Sequence, residues 1–275
     1  MLISHQPARR RLETTITASH RVAGAGSRGF TLIELSVVLV IIALLAAVSL
    51  PAMKNIRQSN AMVSAGRQLV DHLSFARARA ISDNTTVYVV FVPPDLVDQT
   101  FALSAKENKL AERLKGGLYT TYAIFAERTV GEQPGRGTAR YLMDWTALPA
   151  GVIIETNKFL AVANPADLAK RGFPATNIFN FPTASSVKTP ISLPYIGFDN
   201  RGRLIPPEPG NNNSALAGEV IPLTRGSILY VRDAAGNIDL TSLDVRENVP
   251  DDQGRHHVVI DGLTGRARVE TQALY

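Results

Sequence analysis

The fold is decided at Arg28-Gly29-Phe30-Thr31-Leu32-Ile33-Glu34, which runs directly into LSVVLVIIALLAAVSL over residues 35–50. A basic, polar leader ends at a glycine. Phe30 opens an apolar stretch, one carboxylate stands at Glu34, and no further charge follows until Lys54. An ionised side chain at the centre of a membrane helix costs about 2.5–3.5 kcal/mol on insertion scales, so a carboxylate beside a membrane-length apolar run needs a reason. A cut after Gly29 supplies one. It frees an α-amino group on Phe30, with a reference pKa of about 7.7–8.0. Glu34 lies four residues further on, on the same face of a helix. A buried carboxylate is tolerated when a cation pairs with it. In a filament that cation is the amino terminus of a neighbouring subunit, and the pair also fixes axial register.

The junction resembles the class III signal of type IV pilins and pseudopilins, whose core reads G|FTLIE. The resemblance implies a cut between Gly29 and Phe30 by a prepilin peptidase/methyltransferase and N-methylation of Phe30. By position, Glu34 is the family's acidic residue. Two plainer readings compete. One is an ordinary signal anchor carrying an incidental Glu34. The other places a conventional signal peptidase at Ala47-Val48-Ser49 and releases a soluble protein. That second reading needs a leader well beyond the usual length of about 15–30 residues, and a helical pattern with Pro51 follows the site instead of a break.

The chain has 275 residues and a formal net charge of +5. Arg9, Arg10, Arg11, Arg21 and Arg28 against Glu13 place +4 of that charge in residues 1–29. The rest is nearly neutral, so the basic balance describes a leader held in the cytoplasm by the positive-inside rule, not a nucleic-acid surface. There is no cysteine, which excludes disulfide and thiolate chemistry. A head of this size is large enough to be held by its own core.

Residues 30–82 read as one long helix, a spine of about 80 Å at ~1.5 Å per residue. Its first half is apolar all round, as a membrane or filament-core helix should be. Pro51 lies inside it, where a proline removes a hydrogen bond and tends to kink the helix. Beyond Pro51 the helix turns amphipathic: Met62, Gly66, Leu69, Leu73, Ala76 and Ala80 make one stripe at helical spacing, expected to pack on the head. Ser82-Asp83-Asn84 ends it with turn formers. The expected organisation is a cytoplasmic leader over 1–29, a transmembrane or filament-core helix over 30–53, an amphipathic helix over 54–82 and a β-rich head over 83–275. The fold class is therefore α+β, with a long N-terminal helical spine on an antiparallel head.

Candidate strands in the head are residues 86–92, 100–104, 118–126, 151–155, 191–198, 227–232, 256–260 and 266–270. Turn-forming clusters separate them at 199–202, 235–237 and 262–265, and residues 205–218 read as an exposed loop. A short helix is expected at 166–171. The order of pieces resembles the GspH/FimT-like pseudopilins and minor pilins. "LVDHLSFARARAISDNTTVYVVF" over 69–91, "DWTALPAGV" over 144–152, "IGFDNRGR" over 196–203 and "VIDGLTGRARV" over 259–269 each match a piece of that pattern, in order. The stretches at 105–140 and 157–190 look like insertions relative to it.

Enzyme chemistry is nearly absent, and no cofactor or metal is expected. Ser185-Ser186-Val187-Lys188 matches Ser-x-x-Lys, a common spacing with no partner motif here. His256 and His257 are adjacent on a strand candidate and point to opposite faces, so one metal cannot readily use both. Residues 233–239 lack the ligand density and closing Glu of a calcium loop. The favoured function is structural: a minor pseudopilin of a type II secretion system, or a minor type IV pilin, at or near a filament tip. Its implied partners are the prepilin peptidase, other pseudopilins or pilins, the inner-membrane assembly platform and the lipid bilayer. The second reading is a FimT-like minor pilin that binds DNA through Arg266 and Arg268, with Arg255 nearby. Alternating arginines on a strand can contact phosphates. Equally, they are what an edge strand uses to block aggregation. The near-neutral head makes DNA the less favoured partner. A signal-anchored periplasmic enzyme is the third class.

Overall fold

In the computed structural model the described residues are 29–98, 103–128, 137–160, 168, 171–173, 176–186, 190–205, 218–234, 236–248 and 256–271. The expected leader up to residue 28, most of the helix expected at 166–171, most of the loop at 205–218, and Arg255 and Lys188 lie outside them. The chain divides into two compact units, Met1–Leu50 and Pro51–Tyr275. Helix α1 (Leu32–Ser82) has residues in both and continues through Pro51. Of residues 48–59 only the helical backbone is described.

In the first unit the apolar side chains of α1 run from Leu32 to Ala47, and Leu32, Ile33, Val40 and Leu44 are 87, 72, 65 and 65 % exposed. Among the described residues no helix is long and apolar enough to cross a membrane.

The second unit is built on the stripe read from the sequence. Met62, Leu69, Leu73, Ala76 and Ala80 are buried, with Ala65 beside them. Gly66 serves close approach: a Cβ there would lie 3.1 Å from Val269 Cγ2. The helix ends as its turn formers predict. Asn84 adopts φ 48, Thr85 N donates to Ala80 O and Asn84 N to Ile81 O, the double closure of a Schellman motif.

Two antiparallel sheets receive that stripe. The first has the order β3-β2-β1-β6-β5: β1 (Val87–Phe91), β2 (Thr121–Ala126), β3 (Arg140–Ala147), β5 (Thr176–Asn180) and β6 (Pro190–Phe198). The second runs β10-β9-β7-β4: β4 (Val152–Ile154), β7 (Glu219–Arg232), β9 (His256–Ile260) and β10 (Ala267–Thr271), with β8 (Ile238–Asn248) paired to β7. One core lies between the α1 stripe and the inward residues of both sheets, including Val87, Val89, Phe91, Tyr122, Ile124, Ile196, Ile221, Leu223, Val258 and Ile260. Each large apolar side chain buried there contributes about 1.5–3 kcal/mol.

The alternate residues of the first sheet face a second core. Tyr88 and Val90 of β1, Ala123 and Phe125 of β2, and Leu193 and Tyr195 of β6 pack there with Leu96, Leu114, Phe179, Phe181 and Ile238. Leu114 belongs to α2 (Ala105–Lys115), which starts at a capping box: Ser104 Oγ accepts from Glu107 N, and the Glu107 carboxylate accepts from Ser104 N. The first sheet is thus buried on both faces, and the stretches read as insertions supply much of its second cover. The strand expected at 100–104 is corrected. Residues 100–102 lie outside the described set, and Ser104 is a helix cap whose Ser-x-x-Glu spacing is legible in sequence. Three strands absent from the expectations, β3, β5 and β8, are all half-exposed or edge segments in which the two-residue alternation is weak. Strand β7 begins at Glu219, eight residues before its expected start at 227.

Lys158 and Arg171 are tied to β7 by buried charge. Lys158 is fully buried, donates to Glu219 Oε1 and to Arg171 O at 3.0 Å, and lies 5.3 Å from the Phe173 ring centroid. Arg171 Nη2 donates to Glu219 Oε2 at 2.9 Å and to Gly218 O at 3.0 Å. Burial pulls the Lys158 ammonium below the ordinary lysine range, against the attraction of Glu219. At two turns that meet beside α1, Gly265 holds φ +63 and a Cβ there would meet Gly202 O at 2.0 Å, so only glycine lets the 199–203 and 261–266 turns cross. Arg77 Nε clamps both turns by donating to Gly202 O at 3.2 Å and Thr264 O at 2.6 Å.

Candidate processing and assembly site

Gly29 and Phe30 are exposed and non-helical, and the helix begins two residues after Phe30. A Cβ placed on Gly29 would meet nothing within 4 Å. Phe30 is 77 % exposed. Both residues are therefore reachable from solvent on the N-terminal side of α1.

Helix α1 is closed by its own residues. Thr31 Oγ1 accepts a hydrogen bond from Glu34 N at 3.2 Å, and Leu35 N donates to Thr31 O at 3.1 Å. Thr31 is therefore an N-cap and Glu34 stands in the first turn, where a carboxylate is favoured by the helix dipole. The sequence reading assigned Thr31 no role, although Thr-x-x-Glu is a capping-box spacing. The cap fixes where the helix starts, and with it the offset between Phe30 and Glu34. Pro51 is the first residue of the second unit.

A family model for the prokaryotic N-terminal methylation motif matches residues 25–50. The chain carries that motif. It supports the type IV pilin and pseudopilin superfamily and fits a pilin-like or pseudopilin subunit, one processed by a prepilin peptidase and assembled with other pilins. The motif covers the leader end and the apolar half of α1, and the head lies outside it. Comparison with curated proteins and with solved structures gives no match.

The other candidate residues are scattered. Arg266 is exposed and precedes β10, with its N–H near Thr264 Oγ1 at 3.4 Å, so only Arg268 of the expected pair lies on the strand. Arg268 Nε donates to Glu270 Oε1 at 2.6 Å, which neutralises much of the charge that would face a phosphate. Asp261, in the same turn, is held below the usual carboxylate range by the backbone and hydroxyl of Thr264. Ser186 Oγ donates to Glu107 Oε1 at 2.5 Å and shares Thr183, a joint between the 181–186 segment and α2. Asp233 spends its carboxylate on Asn237 N at 2.8 Å and Asn237 Nδ2 at 3.1 Å, closing the hairpin turn. Among the described residues no group of three or more His, Cys, Asp or Glu side chains is placed to hold a metal ion.

Proposed function

We propose that this protein is a structural, non-catalytic minor pseudopilin of a type II secretion-like apparatus, or a minor type IV pilin, acting at or near a filament tip. The observation that carries the reading is the methylation motif at residues 25–50, set on an exposed junction ahead of a capped helix. In this reading residues 1–29 are removed, residues 30–53 cross the inner membrane once with the N-terminus in the cytoplasm, and residues 54–82 carry the head of 83–275 into the periplasm. The apolar run then leaves the bilayer for the filament core, where Phe30, Glu34 and Pro51 act in assembly and the inner-membrane platform is the first partner. Mass measurement of the mature chain from cells tests the processing: it should begin at N-methylated Phe30. A chain beginning at Leu50 would contradict the proposal.

Glu34 is expected to matter for assembly, not for insertion. Glu34→Leu removes a charge from hydrocarbon and should leave membrane insertion intact or improve it. Co-purification with sibling pilins should fall sharply. Unchanged incorporation of Glu34→Leu and Glu34→Ala would remove its role in register.

DNA binding stands as the less favoured alternative, because Arg268 is engaged by Glu270. Replacing both Arg266 and Arg268 with Gln should leave DNA mobility shifts by the full chain unchanged at physiological salt. Binding by the parent that falls steeply with salt and is lost in the double variant would reverse that order.

A further inference from the structure

A buried hydroxyl joins α1 to the first sheet in the second unit. Tyr122 of β2 is fully buried, and its ring lies 5.6 Å from His72 of α1. Its oxygen has two polar neighbours from α1: Gln68 Nε2 at 3.1 Å and His72 Nδ1 at 2.8 Å. Gln68 Nε2 also reaches Ala147 O of β3 at 3.0 Å. A carbonyl only accepts, so the Gln68 amide must present its NH2 group here, and that group's two hydrogens serve Ala147 and Tyr122. The Tyr122 hydroxyl accepts from Gln68 and has its own hydrogen left to donate. The remaining partner is His72 Nδ1, which must then be an unprotonated acceptor. The neutral tautomer of His72 with its proton on Nε2 is the arrangement that gives the buried Tyr122 hydrogen this acceptor.

We infer that His72 is a proton-sensitive clasp between α1 and the head, closed while the imidazole is neutral and loosened when it takes a proton. Protonation puts a donor on Nδ1, facing a hydroxyl that already accepts from Gln68. The Tyr122 hydrogen then loses its acceptor in a place water does not reach, or the ring swings out and the joint with β2 opens.

The surroundings agree with the sign. On α1 the charged neighbours of His72 along the same groove are Asp71 and Arg67; from β2 the titratable group is Tyr122, and β3 enters through the Ala147 carbonyl by way of Gln68. Burial lowers His72 from its ordinary 6.5, while Asp71 pulls the other way. Burial pushes Tyr122 up to about 12, so it stays protonated throughout. The unfolded chain therefore binds more protons than the folded one below 6.5, and the clasp weakens as pH falls through that range.

Hydrogen exchange on the full-length chain in detergent tests this, read as protection factors at about pH 7.5 and about pH 5. Protection of the α1 segment around Gln68 and His72, and of β2, should drop by about tenfold or more on acidification. His72→Asn keeps an acceptor near the Nδ1 position and cannot titrate, so its protection should be the same at both pH values. Tyr122→Phe should likewise lose the pH dependence, whatever its overall stability. An equal drop in His72→Asn, or no drop in the parent, overturns the clasp. The imidazole nitrogen shifts of His72 in the unmutated chain give a second readout. A proton on Nδ1 at neutral pH, or titration above 6.5, contradicts the inference.

Discussion

Gly29→Leu is expected to leave residues 1–29 on the protein and abolish its entry into a filament. A cut after residue 29 needs a small side chain on the leaving side of the bond, as the resemblance to prepilin signals implies, and it needs extended, reachable backbone. The structure isolates the first requirement. A Cβ at Gly29 meets nothing within 4 Å, so the substitution disturbs no packing. The head should fold as before. Gly29→Ala should mature slowly and Gly29→Leu not at all, judged by intact mass from cells. An uncleaved chain also keeps Phe30 without a free amino group, so the pairing proposed for Glu34 is lost together with the cut. Normal maturation of Gly29→Leu would move the processing site elsewhere and remove the basis of the pilin reading.

The largest expected effect on stability is at Lys158. Lys158→Met removes one charge from a fully buried group and leaves the Glu219 carboxylate with Arg171 and the Val220 N–H as partners. Breaking a buried pair from one side costs about 3–5 kcal/mol when the surviving charge has no partner; Arg171 still pairs with Glu219, so the expected loss is smaller, about 1–3 kcal/mol for the hydrogen bond and packing removed. Chemical denaturation of the full-length chain should show that loss. The double change Lys158→Met with Glu219→Leu should recover much of it, since the carboxylate of this cluster is then gone and Arg171, with 15 % of its side chain exposed, can turn toward solvent. If Lys158→Met lowers stability by well under 1 kcal/mol, the cluster does not hold Lys158 and Arg171 to β7.

The two effects lie at opposite ends of what a sequence can disclose. The Gly29 junction is written in consecutive residues, and so are the cap at Thr31, the Asn84 helix stop and the capping box at Ser104. Each is local chemistry between groups a few positions apart. The Lys158–Glu219 pair joins residues 61 apart, and the His72–Tyr122 pair joins residues 50 apart. Nothing near Lys158 in the chain distinguishes it from a solvated lysine. Its burial follows from the meeting of Lys158, Arg171 and Phe173 with the start of β7, which no periodicity encodes.

The sequence by itself determined the methylation motif at residues 25–50, the amphipathic stripe from Met62 to Ala80, the end of α1 and the strands β1, β6 and β9. In these, apolar spacing and turn chemistry act over one or two turns of chain and leave one solution. It also determined the α+β class with antiparallel pairing. Tertiary structure decided the rest. Sheet order, the fourteen residues of β7 shared among β4, β8 and β9, and the burial of the first sheet on both faces depend on which distant segments meet. The run Val87-Tyr88-Val89-Val90-Phe91 is apolar at every position because two cores claim its alternate residues, one beneath α1 and one beneath α2. A continuous apolar strand announces that both faces are covered, but not by what. Likewise, Arg268 is a free cation in sequence and a partner of Glu270 in space, because residues two apart on a strand share a face and opposite charges there close on each other.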